Sequence, residues 1–302
     1  MDRVNSPVVY VTGAAGQLGS ALLASPSIPP EVEVVGLTSS DIDLTSDTSV
    51  NGVLAGLVEG DIVINTAAFT DVDGAEIARD DAFAVNSDGP RRLAERTAAV
   101  GARLIHVSTD YVFGPDVPHR PLTAEDRGDA PRTVYGASKL AGERGTTATD
   151  PSAIVVRTAW VFTGRPPVRD FVTTMLALEA QRETLTVVDD QTGSPTYAPD
   201  LASGLWEIVV RLNDDPASIG GGVLNATNAG QGTWCDLARA VFTAVGADPD
   251  RIQPCTTDEF PRPAPRPAYS VLSGKAWSDA GLTPLRDWHA ALVDALSGAR
   301  SG

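Results

Sequence analysis

Val8-Val9-Tyr10-Val11-Thr12-Gly13-Ala14-Ala15-Gly16-Gln17-Leu18-Gly19 decides how this chain is read. A short β-branched run passes, through three glycines spaced GxxGxxG, into an apolar segment that reads as a helix. Glycines at such a turn let the backbone fold tightly and approach a pyrophosphate at the start of a helix. A glycine triplet alone is a weak sign. A strand before it and a helix after it make it a dinucleotide-binding turn. Further runs at 32–37, 62–64, 104–107 and 154–156 are short and continuous rather than alternating. That pattern belongs to strands buried on both faces of a parallel sheet. Helix-like stretches lie between them, such as 80–100, which Gly101 ends. Repeated βαβ units with right-handed crossovers predict an α/β fold, a doubly wound, Rossmann-like parallel sheet.

The second half has a different texture. Arg165-Pro166-Pro167, 214–222 and 260–267 are loop-rich, and Pro261-Arg262-Pro263-Ala264-Pro265-Arg266-Pro267 excludes regular structure. Between them, Leu201, Leu205, Ile208, Val209 and Leu212 follow helical offsets. Trp234, Leu237, Ala238, Val241, Phe242 and Val245 do the same. The expected organisation is a dinucleotide-binding domain over 1–160, with part of 185–212 returning to it. Residues 161–302 mainly form a smaller α/β substrate domain.

Composition removes several function classes. The 302 residues carry 23 Lys+Arg against 39 Asp+Glu, a net charge of −16, with no basic stripe for nucleic acid. An anionic substrate would need local arginines against that field. No apolar run approaches the roughly 18 residues of a membrane helix, and the run at 8–11 is too short for a signal-peptide core. The expectation is a cytoplasmic protein. Cys235 and Cys255 form no metal or redox spacing, and His106, His119 and His289 are scattered, so no metal is expected. Only Lys139 and Lys275 are lysines; the other 21 basic residues are arginine. A lysine at a chemically loaded position is therefore informative.

Tyr135-Gly136-Ala137-Ser138-Lys139 is such a position. At i and i+4 the two side chains share a helix face. A phenol titrating near 10 is a poor acid or base at neutral pH, and a neighbouring ammonium is expected to bring it down. Thr109, at the end of the fourth strand, can place a second hydroxyl on a substrate carbonyl oxygen. His106, Ser108 and Asp110 also invite a hydrolytic reading. On a strand they stand about 6.6 Å apart stepwise, too far for a proton relay, and no GxSxG elbow exists. The second strand ends Leu37-Thr38-Ser39-Ser40, with neither an acid for a ribose 2′-hydroxyl nor an arginine for a 2′-phosphate. Either NADH or NADPH is expected to serve.

Together these motifs resemble the dTDP-4-dehydrorhamnose reductase family, an extended branch of the short-chain dehydrogenase/reductases, over nearly the whole chain. The resemblance rests on 12–19, on 65–76 (Asn-Thr-Ala-Ala-Phe-Thr-Asp-Val-Asp-Gly-Ala-Glu), on Ser108-Thr109-Asp110-Tyr111-Val112-Phe113 and on 135–139. It continues through Arg157-Thr158-Ala159-Trp160-Val161-Phe162, Asp190-Gln191-Thr192-Gly193-Ser194-Pro195-Thr196 and Arg262-Pro263. It implies that Gly16, Gln17 and Leu18, within the turn from Gly13 to Gly19, hold the pyrophosphate. Thr38, Asp43 and Leu44 would border the adenosine, and Ala67, Ala68, Phe69, Thr70 and Val107 would line the cofactor groove. Tyr135 and Lys139 would contact the nicotinamide ribose. Val72, Thr109, Asp110, Tyr111, Trp160, Gln191 and Arg262 would meet a dTDP-linked 4-keto-6-deoxy sugar.

The implied activity is reduction of that sugar's C4 ketone, the last step of dTDP-rhamnose synthesis for cell-wall polysaccharide, by a monomer or homodimer. A nucleotide-sugar epimerase, a 4,6-dehydratase and a non-catalytic binding subunit are the rivals. Tyr111 stands where the dehydratase needs an acid, and the intact Thr109, Tyr135 and Lys139 argue against a binding subunit. One departure is Gly114-Pro115 where the family commonly has Asp-Gly. The proline-rich 114–133 segment is a candidate lid.

Overall fold

The computed structural model describes residues 7–126, 130–166 and 168–297. Five strands carry the first half: β1 (Val8–Thr12), β2 (Glu33–Leu37), β3 (Ile62–Asn65), β4 (Arg103–Thr109) and β5 (Ile154–Thr158). The helices among them are α1 (Gln17–Leu23), α2 (Asp47–Val53), α3 (Val72–Ala75), α4 (Arg79–Phe83), α5 (Gly89–Val100) and α6 (Val134–Thr149). Then come β6 (Val161–Phe162), α7 (Phe171–Glu179), β7 (Leu185–Val188), β8 (Thr192–Gly193), β9 (Thr196–Tyr197) and α8 (Ala198–Asp214). The chain closes with β10 (Gly222–Asn225), β11 (Gly232–Thr233), α9 (Trp234–Val245), β12 (Ile252–Cys255), α10 (Lys275–Asp279) and α11 (Trp288–Ser297).

The main sheet has the order β10-β5-β4-β3-β1-β2, and every pairing in it is parallel. Its continuous apolar runs are explained by a core on each face. Val9, Val11, Ile62, Ile64, Ile105 and Val156 pack with Leu18 and Leu22 of α1 and with α8 on one side. Val8, Tyr10, Val63 and Leu104 pack with Val50 of α2 and Leu93 of α5 on the other. The chain returns to this sheet from its second half. Trp206 of α8 is fully buried and donates its indole N–H to the Leu22 carbonyl of α1 at 3.1 Å, while β10 pairs with β5 beyond the 185–212 stretch. A separate core gathers α7, α9 and α11 around Phe162, Tyr197 and Trp288.

The helix expected over 80–100 is interrupted. Between α4 and α5, Ala84–Asp88 widens into a π turn. Pro90 has no N–H to offer the Asn86 carbonyl four residues back, so that carbonyl cannot join a regular ladder. It turns instead against Gly142 of α6, where a Cβ would stand 2.1 Å from it. Segment 114–126 is anchored rather than free: Leu122 is fully buried and exchanges backbone hydrogen bonds with Val271 and Ser273 at 2.8 Å each. Residues 127–129 of the candidate lid lie outside the described residues.

Candidate active site

Strand order reverses between β1 and β3, and a cleft of about 950 Å³ opens beyond the carboxyl ends of β1, β3, β4 and β5. Crevices at such switch points are where open α/β sheets bind ligands. Gly13, Gly16, Gln17, Leu18, Gly19, Thr38, Asp43, Leu44, Ala67, Ala68, Phe69, Thr70 and Val107 all line it. So do Val72, Thr109, Asp110, Tyr111, Tyr135, Lys139 and Trp160.

The three glycines of the first turn divide the work. Gly13 has φ +73°, and a Cβ there would stand 2.6 Å from the Ala67 nitrogen; a Cβ on Gly19 would stand 2.2 Å from the Gly13 carbonyl oxygen. Those two serve the backbone's own crossing. Gly16 is exposed and caps α1 without a side chain, leaving amides open to the cleft. At the end of β2 the Thr38 N–H and hydroxyl both donate to the Asp41 carboxylate, at 2.8 and 2.6 Å. Those bonds hold the Asp41 carboxyl below its ordinary range. An acid therefore stands three residues past Thr38, already engaged. Asp43 accepts from the Thr45 N–H and hydroxyl at 2.8 and 2.7 Å, while Ser46 caps α2.

At the cleft floor β4 and α6 meet. Lys139 is 2% exposed, and its ammonium donates to the Val107 carbonyl at 2.7 Å. Burial pulls its pKa down to about 8, against an opposing pull from Glu143, which is itself held by Arg157 at 2.7 and 2.9 Å. Thr109 donates its hydroxyl to the Asp110 carboxylate at 3.0 Å and lines the cleft with the Tyr135 phenol. Burial raises Asp110 to about 6, opposed by hydrogen bonds from Ser270 and Thr109. Tyr111 meets Tyr135 edge-on with ring centres 5.5 Å apart, and burial raises its phenol too.

The Tyr135 phenol differs from expectation. Burial pushes it up to about 12, and the Thr109 hydrogen bond only partly offsets that. Lys139, which donates to the Val107 carbonyl, is not among the groups that lower the phenol. A phenol so held is fully protonated at neutral pH, the state an acid must start from. The hydrolytic reading fails on geometry as well. The buried His106 takes its Nδ1 contact from the Asn65 amide at 3.0 Å, and Asn65 in turn accepts from the Thr12 hydroxyl at 2.7 Å.

Two expected substrate contacts stand back from the cleft. Gln191 is buried, donating to the Thr257 hydroxyl at 2.9 Å and accepting from the Trp234 indole N–H at 3.2 Å. The Arg262 side chain is 54% exposed, above the Phe260 ring and 3.9 Å from Asp73. Its neighbour Arg266 makes the firm contact, pairing with both Asp73 oxygens at 2.8 and 3.0 Å. The two arginines sit in identical Pro-Arg-Pro frames, so local sequence could not choose between them.

Sequence reasoning also missed Trp234 and Asn86. Trp234 lines the cleft and stacks on Trp160 with ring centres 3.6 Å apart, but its helical offset reads as ordinary core. The Asn86 side chain accepts from the Phe69 N–H at 2.8 Å, and donates to the Phe69 carbonyl and the Ser138 hydroxyl at 3.0 Å each. That ties the cleft wall at Phe69 to the helix bearing Tyr135. Buried Gln17 Oε1, Ser108 Oγ and Thr158 Oγ1 have no partner among the described residues, and all three residues line the cleft. With the open glycine turn, these free polar atoms fit a bound dinucleotide.

Comparison with known proteins agrees with this geometry. The family model described as RmlD substrate binding domain matches residues 8–301. The chain is 50% identical to the dTDP-4-dehydrorhamnose reductase of Mycobacterium tuberculosis, over 96% of this chain and 92% of that protein. It is 44% identical to a probable dTDP-4,6-dihydroxy-2-methyloxan-3-one 4-ketoreductase of Streptomyces antibioticus, over 95% and 93% of the two chains. The crystal structure of dTDP-4-dehydrorhamnose reductase from Bacillus anthracis, in complex with NADP, superposes with a TM-score of 0.87. Its identity is 32%, over 97% of this chain and 99% of that one.

Proposed function

The chain belongs to the RmlD substrate-binding-domain family, and from that membership we propose that it is the NAD(P)H-dependent reductase of dTDP-4-dehydro-β-L-rhamnose, giving dTDP-β-L-rhamnose. One observation carries the reading: Tyr135, Thr109 and the buried Lys139 line the same cleft as the open glycine turn.

When bound, the reduced nicotinamide supplies a hydride to C4 of the sugar. The chain's own groups handle everything else. Tyr135 gives its proton to the developing alkoxide, and Thr109 places its hydroxyl on the same oxygen. Lys139, fixed by Val107, holds the ribose side of the cofactor. Ala67, Ala68, Phe69 and Thr70 form the groove wall that Asn86 fixes in place. Trp160 and Val72 border the sugar, with Asp110 and Tyr111 beside it. Lys139 is the one cation among the described cleft-lining residues, so the substrate's phosphates look to Arg262 and Arg266 at the rim beside Val72.

We place the protein in the cytoplasm as a monomer or homodimer, without nucleic acid as a partner. Among the described residues no helix is long and apolar enough to cross a membrane. On this reading 7–160, with part of 185–212, make up the cofactor-binding unit and most of the described residues from 161 to 297 the sugar-nucleotide unit, which fits α8 packing on the main sheet.

A second reading keeps the chemistry and changes the sugar, as the Streptomyces antibioticus relative's name suggests. Cofactor oxidation measured across dTDP-, GDP- and UDP-linked 4-keto-6-deoxy sugars separates the two. Turnover should be fastest with dTDP-4-dehydro-β-L-rhamnose. Faster turnover with another dTDP sugar selects the second reading, and no oxidation with any keto sugar rejects both.

A further inference from the structure

We propose that Trp234 is a specificity-determining residue for the sugar end of the substrate, the brace that fixes Trp160 against the cleft. The inference rests on the ketoreductase reading above and assigns a task to residues outside its chemistry.

Trp160 has φ +47° and is the one non-glycine residue with positive φ among those described. For a bulky side chain that conformation is strained and persists only where its surroundings over-determine it. Three contacts do so. The Thr196 N–H donates to the Trp160 carbonyl at 3.2 Å. Below the indole lies Gly193, where a Cβ would stand 2.4 Å from Trp160 Cε2. Above it lies Trp234, stacked at 3.6 Å with an interplanar angle of 8°.

Trp234 is itself held from three directions. Its indole N–H donates to Gln191 Oε1 at 3.2 Å, and Gln191 Nε2 donates to the Thr257 hydroxyl, which donates to Asp190 at 2.6 Å. Phe171 lies against its ring at 4.7 Å. It is the first residue of α9, whose start is fixed by a reciprocal Thr233–Asp236 capping box. The Asp190–Thr196 motif thereby acquires a physical reason. Gln191 orients one indole and Gly193 makes room for the other.

Both indoles line the cleft beside Thr158 and Val161. A flat apolar wall with no cation in it suits the apolar face and methyl group of a deoxysugar, and does nothing for a diphosphate. Loss of Trp234 leaves Trp160 in a strained backbone with its stacking partner gone. The cost falls on sugar binding and orientation, while the glycine turn remains untouched.

The test uses the full chain, with Trp234→Ala, Trp234→Phe and Gly193→Ala beside wild type. KM and kcat are measured with the dTDP keto sugar, and Kd with NADPH and with dTDP alone. Trp234→Ala should raise KM by about tenfold or more, with both Kd values within about threefold of wild type. Trp234→Phe should recover most of that loss, because a ring still stacks. Gly193→Ala should reproduce the rise by pushing Trp160 from the opposite side, and it carries the test if Trp234→Ala does not fold. A KM within about twofold of wild type in Trp234→Ala and Gly193→Ala overturns the proposal. So does a loss of dTDP affinity that matches the KM rise, since Trp234 would then hold the nucleotide. Wild type that reduces no keto sugar brings down the functional reading itself, and this inference with it.

Discussion

The two ends of the cleft are built in opposite ways. The end we assign to the cofactor is local: Gly13 to Gly19, Thr38 to Thr45, and 66 to 70 each follow directly from a strand of the main sheet. The end we assign to the sugar is assembled across the chain. Asp73 meets Arg266 from 193 positions away, Gln191 meets Thr257 from 66, and Trp160 stacks on Trp234. Local backbone geometry writes itself into spacing, which a sequence displays. Long-range side-chain assembly does not. The difference also implies separable failures, so a substitution at one end should leave the other end's ligand in place.

Tyr135 stands where the two ends meet and should give the largest effect. Tyr135→Phe keeps the ring and its edge contact with Tyr111 while deleting the proton donor. Turnover should fall by about 10²–10⁴, with NADPH and dTDP affinities retained. Single-turnover rates and titrations decide it. Near-normal turnover would reject the mechanism at both ends.

Lys139→Arg probes the cofactor end. The ammonium is buried on the Val107 carbonyl at 2.7 Å, in space shaped for a compact charge. A planar guanidinium is larger and cannot occupy it without displacement. Turnover should fall at least about tenfold and NADPH should bind more weakly, with dTDP affinity unchanged. Lys275→Arg, on an exposed ion pair with Asp279, is the silent control. If Lys139→Arg matches wild type in both measurements, Lys139 plays no part in holding the cofactor.

At the sugar end, Arg266→Ala removes the clamp between the 260–267 strap and α3. Arg266 holds the Asp73 carboxyl below the ordinary carboxylate range, so the clamp stays charged throughout neutral pH. Without it the strap loses its position beside Val72, and KM for the sugar nucleotide should rise by about fivefold while NADPH Kd stays constant. Steady-state kinetics at saturating NADPH would show it. A change in NADPH affinity instead would couple the ends and break the contrast.

The same contrast sorts what could be read without coordinates. The parallel sheet was legible because strands buried on both faces, such as β1, β3 and β5, leave unbroken apolar runs. The run at 32–37 also formed a strand, but as edge strand β2 it is largely exposed or half-buried. The glycine turn and the Tyr135–Lys139 pair show in the sequence as fixed spacings, and the structure brings both, with Thr109, to one cleft. The π turn at Ala84–Asp88 was not legible, although Pro90 marks the place: a proline inside a helical stretch signals a break or kink without saying which form it takes. Trp234 was hidden because one residue serves both the amphipathic face of α9 and the cleft wall. Adjacency to Lys139, visible in sequence, predicts a lowered Tyr135 phenol; burial, which spacing does not display, raises it.

The smallest expected effect concerns which nicotinamide cofactor is preferred. Tight selection for NADH needs a free carboxylate gripping the ribose hydroxyls, and tight selection for NADPH needs an arginine on the 2′-phosphate. The end of β2 has neither. Thr38 occupies the Asp41 carboxylate through two hydrogen bonds, and Thr45 occupies Asp43 in the same way. Arg92, across the groove on α5, is already paired with Asp47 at 2.6 Å and with the Leu44 carbonyl at 3.3 Å. A 2′-phosphate therefore meets hydroxyls that can bond it and exposed carboxylates that repel it, while a 2′-hydroxyl meets only the first. The preference in kcat/KM should be less than about tenfold either way. Because the opposing charges are exposed, added salt should screen them and move the ratio toward NADPH. Asp41→Asn should move it the same way by removing one repulsion. Steady-state kinetics with both cofactors at low and high ionic strength test this. A preference of several hundredfold, or a ratio indifferent to both salt and Asp41→Asn, would mean that some group other than the β2 turn reads the adenosine ribose.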